Sequence, residues 1–117
     1  MQYLCLIYSD ENQWPKLPKE EHDRIVREYL GYMEDIRKSG HYLGCNRLQP
    51  TGAATTVRVR GGQLTTTDGP FAETKEQLGG YFLVAARDLN EAIQLAGRIP
   101  GARYGSIEVR PIREVMT

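Results

Sequence analysis

The ionisable side chains with the clearest potential for chemistry lie close together in the middle of the chain. Asp68, Glu73, Lys75 and Glu76 fall within nine residues, in a segment that also contains Pro70 and several glycines. Proline fixes its own φ angle and restricts the residue before it, so the backbone here is stiff. A stiff connection can hold a carboxylate in a fixed position, which general acid–base catalysis requires.

The same segment has a purely structural interpretation. Asp-Gly-Pro is a common turn sequence, in which the Asp68 carboxylate would accept hydrogen bonds from backbone N–H groups. Glu73, Lys75 and Glu76 are equally compatible with a solvated cluster of charges. The residues alone therefore leave a site and a scaffold both open.

The histidines and cysteines do not form a recognisable metal site. His22 and His41 are distant from each other, as are Cys5 and Cys45, so the four residues show no recognisable zinc-binding motif. Each cysteine stands between apolar neighbours in a strand-like segment, which predicts buried, reduced thiols. We expect no metal and no cofactor.

Hydrophobic periodicity predicts the elements that must position these residues. Strands are predicted at 2–9, 42–48, 55–60, 63–67, 80–86 and 106–112, and helices at 18–39 and 89–98. Gly61 and Gly62 predict a two-residue hairpin turn. Pro18 is predicted at the first helical position, Gly40 as a left-handed helix cap, and Asp88 with Glu91 as a capping box.

Both helices show an apolar stripe that predicts their buried face. The stripe of the first helix is predicted to comprise Ile25, Tyr29, Tyr32, Met33 and Ile36, widened by Val26 and Leu30. The second helix is predicted to bury Leu89, Ala92, Ile93 and Ala96.

The order of elements predicts one α+β domain over residues 1–117. It is a ferredoxin-like βαββαβ arrangement with an inserted hairpin, whose threonines and arginines indicate a partly exposed ribbon. Two helices can cover only one face of the sheet, yet segments 3–8 and 81–86 are apolar on both faces. A second subunit is the simplest cover for the other face, so we expect a homodimer.

Composition argues against several classes of protein. Lys plus Arg and Asp plus Glu each number 15, so the formal net charge is zero, whereas proteins that bind nucleic acid usually carry a basic excess. The apolar runs are far shorter than the roughly 20 residues that cross a bilayer, and the N-terminus has no basic region typical of a signal peptide. We therefore expect a cytoplasmic protein that binds neither membrane nor nucleic acid directly.

Four segments of the chain resemble a known family. Segment 68–81 reads Asp-Gly-Pro-Phe-Ala-Glu-Thr-Lys-Glu-Gln-Leu-Gly-Gly-Tyr, which is similar to the signature of the DGPF group of YCII-related proteins. Segments 3–8, 48–51 and 99–112 also match that group, so the resemblance extends over most of the chain. It implies a ferredoxin-like fold that dimerises into an α+β barrel, with a small-molecule pocket beside the sheet.

The resemblance also implies candidate site residues. A helix histidine and a loop aspartate are proposed as an acid–base pair in the wider family. Asp68 matches the aspartate, whereas the histidine position corresponds to Tyr29, with His22 two helical turns earlier. The candidate catalytic residues are thus Asp68, Tyr29 and His22, although a tyrosine with an ordinary pKa near 10 is a poor base at neutral pH.

The remaining candidates would bind the substrate in a pocket between the first helix and the sheet. Phe71 and Tyr81 would form its apolar walls, while Glu73 and Lys75 would lie at its mouth or lock the loop.

Two functions follow from the resemblance, and the sequence does not decide between them. Many DGPF relatives are encoded beside, or fused to, extracytoplasmic-function sigma factors, which implies a ligand-binding dimer with a sigma factor as partner. Other members of the wider family are small enzymes, which implies a lyase or isomerase that uses Asp68 as general acid or base. The substrate is not indicated.

Overall fold

The computed structural model describes residues 1–114, so positions 115–117 of the predicted domain lie outside it. The strands are β1 (Gln2–Ser9), β2 (Tyr42–Arg47), β3 (Thr55–Arg60), β4 (Gln63–Asp68), β5 (Gln77–Ala85) and β6 (Ser106–Pro111). The helices are α1 (Lys19–Lys38) and α2 (Leu89–Gly97), with short 3₁₀ turns at Trp14–Lys16, Thr51–Ala53 and Pro100–Arg103.

Four strands form an antiparallel sheet in the order β2-β5-β1-β6. This order, with both helices packed on one face, is that of the ferredoxin-like fold, and the predicted α+β class is confirmed. β3 and β4 stand apart as a two-stranded ribbon. Gly61 and Gly62 have φ angles of +56° and +77°, as a type I′ hairpin turn requires.

The capping residues at the helix ends are as predicted, except at the start of α1. Gly40 has a φ of +81°, and the Asp88 carboxylate accepts a hydrogen bond from the Glu91 N–H at 2.9 Å, both as predicted. The Glu91 carboxylate accepts in return from the Arg87 N–H at 3.0 Å. Pro18 is the N-cap before α1 rather than its first helical residue, because its ψ of 152° is extended.

The core lies between the two helices and one face of the sheet. Tyr3, Cys5, Phe82 and Val84 point from the central strands toward buried residues of both helices. Those helix residues are Tyr32 and Ile36 from α1, and Ala92, Leu95 and Ala96 from α2. Both cysteines are free; Cys5 is buried as predicted, whereas Cys45 is only half-buried.

The predicted helix stripes are too wide. Val26 and Leu30 of α1 are 44% and 58% exposed, and Leu89 and Ile93 of α2 are 49% and 48% exposed. α2 instead buries Leu95, which brings the small side chains of Ala92 and Ala96 against the sheet. Close packing at these alanines turns Leu89 and Ile93 toward solvent.

In the part of the chain that the structure describes, no layer covers the opposite face of the sheet, which carries apolar side chains at its centre. Leu4 lies opposite Leu83, and Leu6 lies opposite Tyr81, on adjacent central strands. These residues alternate with the core residues and therefore project from the other face. All four are half-buried, and on β6 the paired side chains Arg110 and Glu108 lie beside Leu4 and Leu6. Within residues 1–114, no helix is long and apolar enough to cross a membrane.

Candidate functional site

The Asp-Gly-Pro segment closes the base of the ribbon. Asp68 is the last residue of β4 and pairs with Thr55. Gly69 follows with a φ of +104°, a conformation that favours glycine, and its N–H donates to the Ala54 carbonyl at 2.8 Å. The Thr56 hydroxyl donates to the Gly69 carbonyl at 2.9 Å. The Asp68 side chain itself is exposed.

The loop after this turn lines a shallow cavity of about 170 Å³ that is open to solvent. Its lining comprises Thr51, Pro70, Ala72, Glu73, Thr74 and Gln77. Among these described residues, Glu73 carries the ionisable side chain, and the others offer hydroxyl, amide and apolar groups. The cavity therefore suits a small polar ligand that donates hydrogen bonds or carries positive charge.

A hydrogen-bond network beneath the cavity joins three segments of the chain. The Glu11 carboxylate accepts from the Thr51 N–H at 3.0 Å and from the Thr51 hydroxyl at 2.5 Å. The Glu11 N–H donates to the side-chain oxygen of Gln77 at 3.0 Å, and the Gln77 amide donates to the Thr74 carbonyl at 2.7 Å. Sequence reasoning missed Glu11 and Thr51, because no local pattern indicates a contact across 40 residues.

The two helix candidates, Tyr29 and His22, are held by packing contacts. The Tyr29 ring lies parallel to the Phe82 ring with centroids 6.4 Å apart, and its hydroxyl lies against Gly101. Burial raises the Tyr29 pKa, so still less phenolate is present at neutral pH to act as a base. His22 stacks on Trp14 at 4.3 Å, and its Nε2 lies 2.5 Å from the Trp14 carbonyl oxygen.

The other substrate-binding candidates lie in separate surroundings. Glu73 lines the cavity, but Phe71 is 82% exposed, with the Arg58 guanidinium 5.9 Å from its ring centre. Lys75 is also exposed. Tyr81 lies on the uncovered sheet face, where its hydroxyl accepts from the Asn46 side-chain amide at 2.7 Å. The chain thus brings Glu73, but not Phe71, Lys75 or Tyr81, to the lining of the cavity.

A second polar cluster joins α1 to the 3₁₀ turn Pro100–Arg103. Arg24 pairs with Glu21 at 2.5 Å and contacts the Tyr104 hydroxyl at 3.1 Å, while Arg103 binds both oxygens of Glu28 at 2.6 and 2.7 Å. The hydrogen bonds from Arg24 and Arg103 lower the Tyr104 pKa. The charges of the two arginines and the two glutamates cancel, so the cluster has little net charge with which to bind a ligand. Its hydrogen bonds hold the turn Pro100–Arg103 against α1, beside Tyr29.

No cluster of three or more histidine, cysteine, aspartate or glutamate side chains that could hold a metal ion occurs within residues 1–114.

The fold and this loop define a class of protein: an α+β chain of ferredoxin-like topology with an inserted ribbon beside a polar cavity. The model of the YCII-related domain matches residues 1–116, and the chain belongs to the YCII-related family. It is also similar to an uncharacterised protein of Rhizobium meliloti (strain 1021), with 40% identity over 114 residues, covering 96% of this chain and 92% of the relative.

Proposed function

We propose that this chain acts in the cytoplasm as a homodimeric small-molecule-binding protein of the DGPF group. One observation carries the dimer: within residues 1–114, no layer covers the second face of the four-stranded sheet, whose centre is apolar. Leu4, Leu6, Tyr81 and Leu83 on that face would pack against the same residues of a second copy. A two-fold interface of this kind places the same patch on both subunits.

The accessible surface supports a large interface. A folded monomer of 13.3 kDa is expected to expose about 6,400 Å², whereas this chain exposes 8340 Å². The excess of roughly 1,900 Å² exceeds the ~800 Å² that each partner contributes to a standard interface and suits an obligate dimer. The radius of gyration, 16.3 Å against about 13 Å for a compact chain of this length, agrees.

The ligand site of the proposed function is the cavity beside Glu73. Its volume of about 170 Å³ is below the ~300–1,000 Å³ typical of small-molecule pockets, so the ligand would be small. The network around Glu11 fixes the floor of the cavity, and fixed polar groups are what orient a small ligand.

Sedimentation of the wild type and two matched variants tests the dimer. We expect the wild type to sediment as a dimer at micromolar concentration, and Leu6→Glu to sediment as a monomer, because the new carboxylate would be buried without a partner. Leu30→Glu adds the same charge at an exposed position on α1 and should remain dimeric. A wild-type monomer of 13.3 kDa would refute the proposal.

A thermal-shift screen with polar metabolites tests the cavity. A ligand that stabilises the wild type should lose most of its effect on Glu73→Gln, which removes one charge and keeps the shape. Lys75→Gln is the control, because Lys75 lies outside the lining and should leave the shift unchanged. Equal shifts in all three proteins would place the ligand elsewhere.

The enzymatic alternative and the sigma-factor partner rest on the family resemblance. Asp68, the acid or base of the alternative, is exposed and lies outside the cavity lining. Asp68→Asn provides the test: a variant of unchanged stability that loses a ligand response of the wild type would favour the alternative. Co-purification of the intact protein with a sigma factor would support the regulatory role.

A further inference from the structure

The β3–β4 ribbon has its apolar face turned toward solvent. Directly opposed residues of an antiparallel pair share a face, so Val57 and Val59 project on the same side as Leu64. These three residues define the valine face, and they are 57%, 58% and 68% exposed.

The polar face of the same ribbon contacts the rest of the chain only near its base, and its β4 residues are exposed. Thr56 and Arg58 on that face are half-buried, since Thr56 donates to the Gly69 carbonyl and the Arg58 guanidinium lies over Phe71. An apolar sheet face usually packs on the protein while the polar face meets water, whereas here the apolar face is exposed as well. Folding of one chain does not explain why this apolar face is left exposed.

The ribbon also lacks support from other strands. In the described part of the chain, β3 and β4 pair with each other and not with the four-stranded sheet. A two-stranded hairpin alone is marginally stable in water, and needs a further strand or a packed face. The valine face is the face available for such packing.

We propose that the ribbon is an arm with which each chain grips a second copy of itself, the valine face packing on that copy. This inference rests on the proposed dimer and assigns it a second contact. The flat outline of the sheet face, about 450 Å², is small beside the excess accessible surface of roughly 1,900 Å², so the sheet face alone does not account for that excess. The sheet face and the arm both contribute to the excess accessible surface. The formal net charge of the chain is zero, so two copies do not repel each other through their overall charge.

The arm links the dimer to the ligand site. Two hydrogen bonds fix the base of the ribbon to Gly69, where the loop that lines the cavity begins. The Gly69 N–H donates to the Ala54 carbonyl, and the Thr56 hydroxyl donates to the Gly69 carbonyl. Because Pro70 follows immediately and lines the cavity, docking of the arm on the second copy also fixes the cavity wall.

Mixed-label NMR on the wild type tests the arm directly. Dimers are formed from one copy with ¹³C-methyl valine and leucine and another that is deuterated and ¹⁵N-labelled. We expect intermolecular NOEs from the methyl groups of Val57, Val59 and Leu64 to amides of the other copy. A dimer without these NOEs would overturn the arm and leave the dimer standing, whereas a monomer would overturn both.

A set of matched variants gives the energetic test. Replacing Val57, Val59 and Leu64 together by threonine keeps the β propensity of the ribbon. The dissociation constant of the dimer should rise at least about tenfold, because burial of even one aliphatic side chain contributes more binding free energy than a tenfold change requires. Arg60→Thr with Gln63→Thr changes the opposite face at the same turn and should leave the dissociation constant within about twofold. An unchanged constant for a folded triple variant would overturn the arm.

Discussion

At the scale of single residues, Gly101 marks the tightest contact around a candidate residue. A Cβ at this position would lie 2.6 Å from the Tyr29 hydroxyl and 3.0 Å from Ile7 Cγ2. We expect Gly101→Ala to lower the free energy of unfolding by about 1–3 kcal/mol, the usual cost of overpacking. Urea unfolding measures this, with Gly97→Ala as control, because a Cβ there meets no atom within 4 Å.

Tyr29→Phe should relieve part of that cost. The cycle of Gly101→Ala, Tyr29→Phe and the double variant isolates the coupling between the two positions. We expect the double variant to be more stable than the sum of the single effects predicts, because the clashing hydroxyl is gone. Strict additivity would show that Ile7, and not Tyr29, opposes the new methyl group.

The buried Cys5 thiol gives the stability a dependence on alkaline pH. Desolvation raises the pKa of Cys5 from 9.0 to about 11. Between these values the unfolded chain loses the proton and the folded chain keeps it, so stability should fall as pH rises from about 9 to 11, at a slope of up to roughly 1.4 kcal/mol per pH unit. Burial also raises the Tyr32 pKa, which acts in the same direction at higher pH.

Urea unfolding between pH 8 and 11 checks this prediction against Cys5→Ala. The variant should be less stable at pH 8 because a buried side chain is lost, but its stability should fall less steeply with pH. Equal slopes would show that the tyrosines or other groups determine the alkaline loss.

The sequence predicted part of the candidate site and could not predict the rest. Glu73 belongs to a contiguous motif, so its proximity to Pro70 follows from the chain itself. Glu11, Thr51 and Gln77 meet only because three separate segments converge at one end of the sheet, and such contacts have no local pattern. For the same reason the sequence did not indicate that Tyr29 packs on Phe82 and Gly101.

At the scale of elements, the Asp88 cap should contribute measurably to stability. Asp88→Ala removes the hydrogen bond to the Glu91 N–H and should lower the free energy of unfolding by about 1 kcal/mol. Asn90→Ala, at an exposed position of the same helix, should change it by less than about 0.5 kcal/mol. Urea denaturation compares the two, and equal losses would argue against a special role for the cap.

Elements with strong local signals were predicted most accurately. The hairpin follows from alternation around Gly61 and Gly62, and α2 begins where its capping box indicates. The start of β5 was placed three residues too late, because Gln77 and Leu78 pair with Ser9 and Tyr8 beyond an irregularity after Ile7. Pairing of that kind depends on the partner strand, which the sequence of β5 does not contain.

At the scale of the whole molecule, the proposed dimer should make thermal stability depend on concentration. Association that stabilises only the folded state raises Tm as protein concentration rises, so a hundredfold increase should shift Tm upward by several degrees. Leu6→Glu should lose this dependence while Leu30→Glu retains it. Differential scanning calorimetry over that range checks the prediction, and a constant wild-type Tm would contradict it.

The valine face also makes the chain prone to aggregation before the dimer forms. A newly made chain would present an apolar strand surface with two unpaired backbone edges, which is a template for aggregation. In β3, Arg58 separates Val57 from Val59 and Arg60 follows, so each valine has a charged neighbour. Charged residues that flank an apolar strand act as gatekeepers. Neutralising Arg58 and Arg60 should therefore increase inclusion-body formation during expression, even where the assembled protein is equally stable.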